Sequence, residues 1–307
     1  MSSARPNCGD DCLEFIGELL IPMHPRNACH RSAERGHLKC LRYAHEHGCP
    51  WDESICCLIS DAGHLGCLRY AHEHGCPWDE WTCRLASGSG HVNLLRYAHE
   101  HGCPWNENTC ARASMGGHLA CLRYAHEHGC PWDDWTCYWA SAHGHLECLR
   151  YAHENGCPWE DLDEWSRMLG ACYGASENGH LDCLRYAHEH GCPWNLFVCS
   201  MASKNGHLEC LDYCLENGCP SPDFTQVTVH PTVVPFLHHY GIRLSEENSV
   251  HLREHVREHV RRARTLLRCG IVLLGAYRSA CERVYSPDGV GYREAETSFR
   301  EAVLREN

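Results

Sequence analysis

Apolar and polar positions along the chain return in the same order about every 27 residues. Leu65, Cys67, Leu68, Tyr70 and Ala71 occupy one wide helical face between two glycines. The surrounding string, Gly36-His37-Leu38 through Gly48-Cys49-Pro50-Trp51 in its first copy, recurs with small changes. Its Gly-His pair stands at Gly36, Gly63, Gly90, Gly117, Gly144, Gly179 and Gly206, in steps of 27, 27, 27, 27, 35 and 27 residues. An eroded copy, Val229-His230 to Tyr240-Gly241, follows. Repetition at this period marks a tandem array. It predicts seven full units and one degenerate unit over 27–244, an N-terminal cap segment over 1–26 and a C-terminal helical cap over 245–307.

Each unit predicts two short helices. The first follows a Gly-Cys-Pro-Trp-Asp turn, with Asp or Asn as N-cap, as at Asp79 before Trp81-Thr82-Cys83. It ends at the Gly of Gly-His, a residue suited to the left-handed helix terminus. The second runs from that His to the next Gly. Helices of about 11 residues or fewer are marginal alone in water. Their stability must come from stacking on neighbouring units.

Ala86-Ser87, Gly90-His91, Leu94-Leu95 and Gly102-Cys103-Pro104-Trp105-Asn106 stand where the ankyrin repeat has paired small residues, Gly-His, paired aliphatics and its turn. The array over 27–244 resembles that family. It is nearest to short units of the kind found in large DNA viruses of amoebae and in protists. The resemblance implies an all-α, ankyrin-like α-solenoid of helix-turn-helix repeats with helical caps at both ends. The unit is about six residues shorter than the family's 33, and the missing residues fall at the hairpin tip. Shortened turns are therefore expected in place of full hairpin fingers.

Composition adds an unusual demand: 26 Cys and 27 His among 307 residues. Cysteines fall in three columns: Cys29, Cys56, Cys83, Cys110, Cys137, Cys172 and Cys199; Cys40, Cys67, Cys121, Cys148, Cys183 and Cys210; and Cys49, Cys76, Cys103, Cys130, Cys157, Cys192 and Cys219. Leu94 fills one slot of the second column, which suits packing and cannot serve as a ligand. Structural zinc is the alternative. Thiols in one column would sit a helix spacing apart, beyond disulfide or shared-zinc reach, and no C-x₂-C zinc spacing occurs. Packing is the expected role, with no cofactor.

The His after Gly is expected to hydrogen-bond across the turn. His45, His72, His99, His126, His153 and His188 lie where the resembling family has a half-buried Leu, and as the many His charge a fall in stability is expected between about pH 7 and 5. His47 and its equivalents give way to Asn155 and Asn217, which suits an exposed helix end. Trp51, Trp78, Trp105, Trp132, Trp159 and Trp194 should form a spine at the shortened turn.

Positions that differ between units are free to meet a partner. In the resembling family the first helix lines the concave face. Trp81, Arg84, Arg112, Trp135, Tyr138 and Trp139 vary there and have the composition of interface hot spots. The 35-residue step inserts eight residues within 160–171, where Trp165 and Met168 belong to a candidate amphipathic arm. In 245–307, Leu252, Val256, Val260, Ala263 and Leu267 predict a long amphipathic helix. His251, His255 and His259 lie one turn apart on it, a stripe read as solvated.

Net charge of −13 argues against nucleic acid and anionic membranes. The longest apolar run, Ile271 to Tyr277, is far short of the ~20 residues that a span requires. Met1 to Asp11 is polar, without a signal-peptide core, so thiols reduced in the cytoplasm or nucleus are expected. No Gly-rich phosphate loop or nucleophile elbow appears. The resulting expectation is a monomeric, non-catalytic scaffold or adaptor that binds a protein partner through its concave face.

Overall fold

A helix of two or three turns survives only if its ends are satisfied and one face is buried. Residues 26–159, 170–245 and 248 of the computed structural model are described here, and they divide into two units at Gly174 and Ala175. In the first unit the leading helices are α1 (Arg26–Glu34), α3 (Glu53–Ala62), α5 (Glu80–Gly88), α7 (Glu107–Met115) and α9 (Asp134–Ala142). They alternate with α2 (Leu38–Glu46), α4 (Leu65–Glu73), α6 (Val92–Glu100), α8 (Leu119–Glu127) and α10 (Leu146–Glu154). Helix α11 (Ala171–Asn178) spans the division. The second unit continues with α12 (Leu181–Glu189), α13 (Leu196–Asn205), α14 (Leu208–Glu216) and α15 (Val234–His239).

No strand occurs among the described residues. Each unit, in its described residues, is all-α, an ankyrin-like stack of helix pairs joined by shortened turns. The segment 1–25 of the cap, the insertion residues 160–169 with Trp165 and Met168, and 249–307 with its His stripe lie outside the described residues.

The N-terminal signals act as the sequence predicts. Asp52, Asp79 and Asn106 each accept a hydrogen bond at 3.1 Å from the backbone N–H two residues on, and Asn195 does so at 2.9 Å. At the other end of each second helix the side chain closes the turn. His74 and His101 donate through Nδ1 to the carbonyls of Tyr70 and Tyr97 at 2.9 and 2.8 Å. Asn155 and Asn217 donate through Nδ2 to Tyr151 and Tyr213, both at 2.8 Å. His and Asn interchange because each supplies a short N–H donor to the carbonyl four residues back. The backbone then closes on itself. Cys103 N–H reaches the Ala98 carbonyl at 2.9 Å and Gly102 N–H the His99 carbonyl at 3.0 Å, a Schellman arrangement.

The Gly-His pair holds consecutive units together. The expected bond across the turn is replaced by one to the preceding unit: His64 Nε2 donates to the Glu34 carbonyl and His91 Nε2 to that of Asp61, both at 3.1 Å. Each ring lies on the glycine one unit earlier. A Cβ on Gly90, whose φ is +80°, would stand 2.6 Å from the His118 ring. Glycine is thus required there twice, for the left-handed backbone and for the ring.

Leading helices stack on leading helices, and following helices on following helices, with the leading row packed more extensively. Small residues allow this close approach: Ala86, Ser87, Ala113, Ser114, Ala140 and Ser141 are fully buried. Between the rows runs a ladder of Leu41, Leu68, Leu95, Leu122 and Leu149, also fully buried. At roughly 1.5–3 kcal/mol per buried Leu, that column supplies the driving force the isolated helices lack.

Candidate functional site

Three sets of side chains are candidates for chemistry: the thiols, the imidazoles and the unit-specific residues of the leading helices. Every cysteine of the three columns in the described residues is buried. Burial pushes Cys67 and Cys148 up to about 11 and Cys121 up to about 12, so these thiols stay protonated at neutral pH. The third column donates to the backbone one unit back: Cys103 Sγ to the Asp79 carbonyl at 3.3 Å, Cys130 to Asn106 at 3.2 Å and Cys157 to Asp133 at 3.1 Å.

Unlike thiols within one column, those of the first and third columns come close enough to shift each other's pKa, as Cys56 does for Cys76 and Cys83 for Cys103. Comparing spacing within single columns had no means of finding this, because the pair forms where the turn folds back under the leading helix. A pair is two ligands, and no group of three or more His, Cys, Asp or Glu side chains converges among the described residues. Structural zinc requires four ligands.

In the first unit the imidazoles and indoles form a ladder. His72 stacks on Trp78 with ring centroids 4.0 Å apart, and its Nδ1 pairs with the Tyr97 hydroxyl of the next unit at 3.0 Å. His45, His99 and His126 repeat the arrangement with Trp51, Trp105 and Trp132, at 3.7, 3.8 and 3.8 Å. The Trp spine expected at the shortened turn is therefore present, and the half-buried His is its partner. Burial first, and the neighbouring unit's His second, lower the pKa of His45, His72 and His99.

The third set makes a surface. Trp81, with 45 % of its surface exposed, and Trp135, with 43 %, are large apolar side chains left uncovered. The N-caps Asp79 and Asp133 place them at the second position of α5 and α9, before their helices enter the stack. Trp135 and Trp139 lie one turn apart on α9, ring centroids 5.9 Å apart, with Tyr138 at 5.3 Å from Trp135 and 5.0 Å from Trp139. Tyr138 also packs on Gly174, where a Cβ would come within 3.1 Å of its ring.

From α5 the Arg84 guanidinium lies 4.1 Å over the Trp81 ring, a cation–π contact. Arg112 reaches from α7 over Gly88, and its Nη1 stands 3.6 Å from Met115 Sδ. Together Arg84, Asn108, Arg112, Met115, Trp135 and Trp139 line a groove of about 320 Å³, with Ala111 in its floor. Four of the sequence-predicted residues, Arg84, Arg112, Trp135 and Trp139, thus share one cavity, while Trp81 and Tyr138 support its walls. Met115 and Asn108 complete it. Met115 stands five residues after Cys110, where other units carry Asp61, Gly88, Ala142, Glu177 and Lys204. Extending the comparison between units along the whole leading helix finds it.

Arg84 is short of partners. Its Nε is buried without a hydrogen bond, and neither it nor Arg112 makes an ion pair among the described residues. Burial first, then the charge of Arg112, lower the pKa of Arg84. No helix among the described residues is long and apolar enough to cross a membrane.

No curated protein matches the chain. Among solved structures, the human ASB11 ankyrin repeat domain is similar at 15 % identity and a TM-score of 0.48, over 60 % of this chain and 96 % of that one. The family model for ankyrin repeats in many copies matches residues 110–153 and 137–188. Over residues 110–188 the chain is similar to ankyrin repeats.

Proposed function

We propose that the chain is a non-catalytic scaffold or adaptor that binds a protein partner on the leading-helix face of its first unit, the concave face of an ankyrin-like stack. Ankyrin repeats in general mediate protein–protein interaction. The observation that carries the reading here is the groove of Arg84, Arg112, Trp135 and Trp139. Elsewhere the units repeat their side chains because stacking demands them; here they differ, and they leave Trp135 exposed beside half-buried Arg84, Arg112 and Trp139. These are the residue types that dominate binding energy in interfaces. The protein acts as a monomer in a reducing compartment, cytoplasm or nucleus, where its thiols remain free. Its shortened unit supports reading it as one of the short-unit repeat proteins of the kind found in large DNA viruses of amoebae and in protists.

Affinity capture from the native cell, with wild type beside Trp135→Ala/Trp139→Ala, tests the reading. Loss of a specific partner from the variant, with an unchanged melting temperature, is expected. Identical capture by both would remove this face as the binding surface.

A further inference from the structure

We infer that the groove between α5, α7 and α9 takes a linear peptide through a single Asp or Glu side chain, its carboxylate on Arg84 and Arg112 and its apolar neighbour on Trp135 and Trp139. The inference rests on the leading-helix face being the binding surface and names the chemistry that face selects.

Four observations point to a carboxylate. Two guanidinium groups line one cavity of about 320 Å³, close enough for the charge of Arg112 to disfavour that of Arg84. Neither has an acidic partner among the described residues, and Arg84 Nε is buried without an acceptor. A buried donor without a partner is costly, and a charged one more so. Arg84 is held in place by its contact with Trp81 at 4.1 Å, so its planar fork is already oriented for a two-point hydrogen bond.

Size and charge narrow the class. A volume of about 320 Å³ is at the lower end of ligand pockets and suits one or two side chains. The chain as a whole carries −13, so its long-range field repels a polyanion. Attraction is confined to the arginine pair. An isolated acidic residue beside an aromatic or aliphatic one fits both conditions; a nucleic acid backbone does not.

The probe is a displayed library of random 12-residue peptides selected on the full chain. Selected peptides are then labelled with fluorescein and titrated by anisotropy. An Asp or Glu beside an apolar residue should be enriched. Arg84→Gln/Arg112→Gln should weaken binding about tenfold or more. Replacing the peptide's acid by its amide should do the same, and the two changes combined should cost little more than either alone. Should the Gln variants melt early, the amide peptide on unaltered protein carries the same test.

Peptides without an acidic preference, lost on Trp135→Ala/Trp139→Ala but indifferent to the arginines, would overturn the carboxylate assignment and leave the binding face standing. Peptides indifferent to all four substitutions, or no selected peptide, would overturn both. A labelled single-stranded 20-nucleotide DNA that binds in an arginine-dependent way and displaces the peptides would overturn the peptide class.

Discussion

At the residue scale, the most exposed assumption is that each Gly-His pair couples two units. Gly90→Ala forces a methyl into the His118 ring and a Cβ onto a backbone with φ +80°. A loss of roughly 2–3 kcal/mol is expected in denaturant unfolding. Adding His118→Ala should relieve the steric part and leave the backbone part. If Gly90→Ala were neutral, the coupling would be wrong. The His ladder makes a second claim. Burial, and then the neighbouring His, lower the folded-state pKa of His45, His72 and His99. Below the ordinary imidazole value near 6.5 the unfolded chain therefore binds more protons than the folded one. Stability should fall as pH drops from about 7 to 5. The melting temperature at pH 7.5 and 5.5 checks this. A flat profile contradicts it, and the triple replacement of these His by Gln should flatten it. Asp133 is a third case. Its Oδ1 is buried without a partner, and burial, then Asp134 and Glu107, raise its pKa. Asn fills the same cap at Asn106 and Asn195. Asp133→Asn should raise stability by under about 1 kcal/mol, the charge being partly screened.

At the element scale, the three cysteine columns are not equivalent. Cys121 sits where Leu94 stands in the preceding unit, and burial is the principal cause of its raised thiol pKa. Cys121→Leu should cost about 1 kcal/mol or less. Cys103 donates to the Asp79 carbonyl at 3.3 Å at the start of α5. Cys103→Ala should cost about 1–2 kcal/mol, from the lost bond and the space left behind. Thermal unfolding of the two variants decides whether the thiols are interchangeable filler. Helix starts, stops and the Leu column were legible in the sequence because each rests on local chemistry: Asp79 caps its own helix, and Gly102 ends one. What joins units was not legible. The His64 bond to Glu34 and the Cys56–Cys76 pair depend on how far the turn folds back, and a period of 27 residues does not encode that distance. The groove was half-legible. Comparison between units picked out Arg84, Arg112, Trp135 and Trp139 because they break the repeat. Met115 breaks it too, at the far end of its helix.

At the scale of the whole molecule, two accounts of so much Cys and His compete, and they differ in what holds the fold. If thiols and imidazoles pack and hydrogen-bond, removing metal changes nothing. Dialysis against EDTA should leave the melting temperature within about a degree of its starting value. A large fall would restore structural zinc, which contributes directly to folding where it occurs. The repeated interior then serves to present one uneven surface. That claim is tested most directly by placing a photo-crosslinking amino acid at Met115, inside the groove, and separately at Arg96, exposed on a following helix. Irradiation in the native cell should join a partner to the protein labelled at Met115 and not at Arg96. Crosslinks from Arg96 alone, or equally from both, would contradict it.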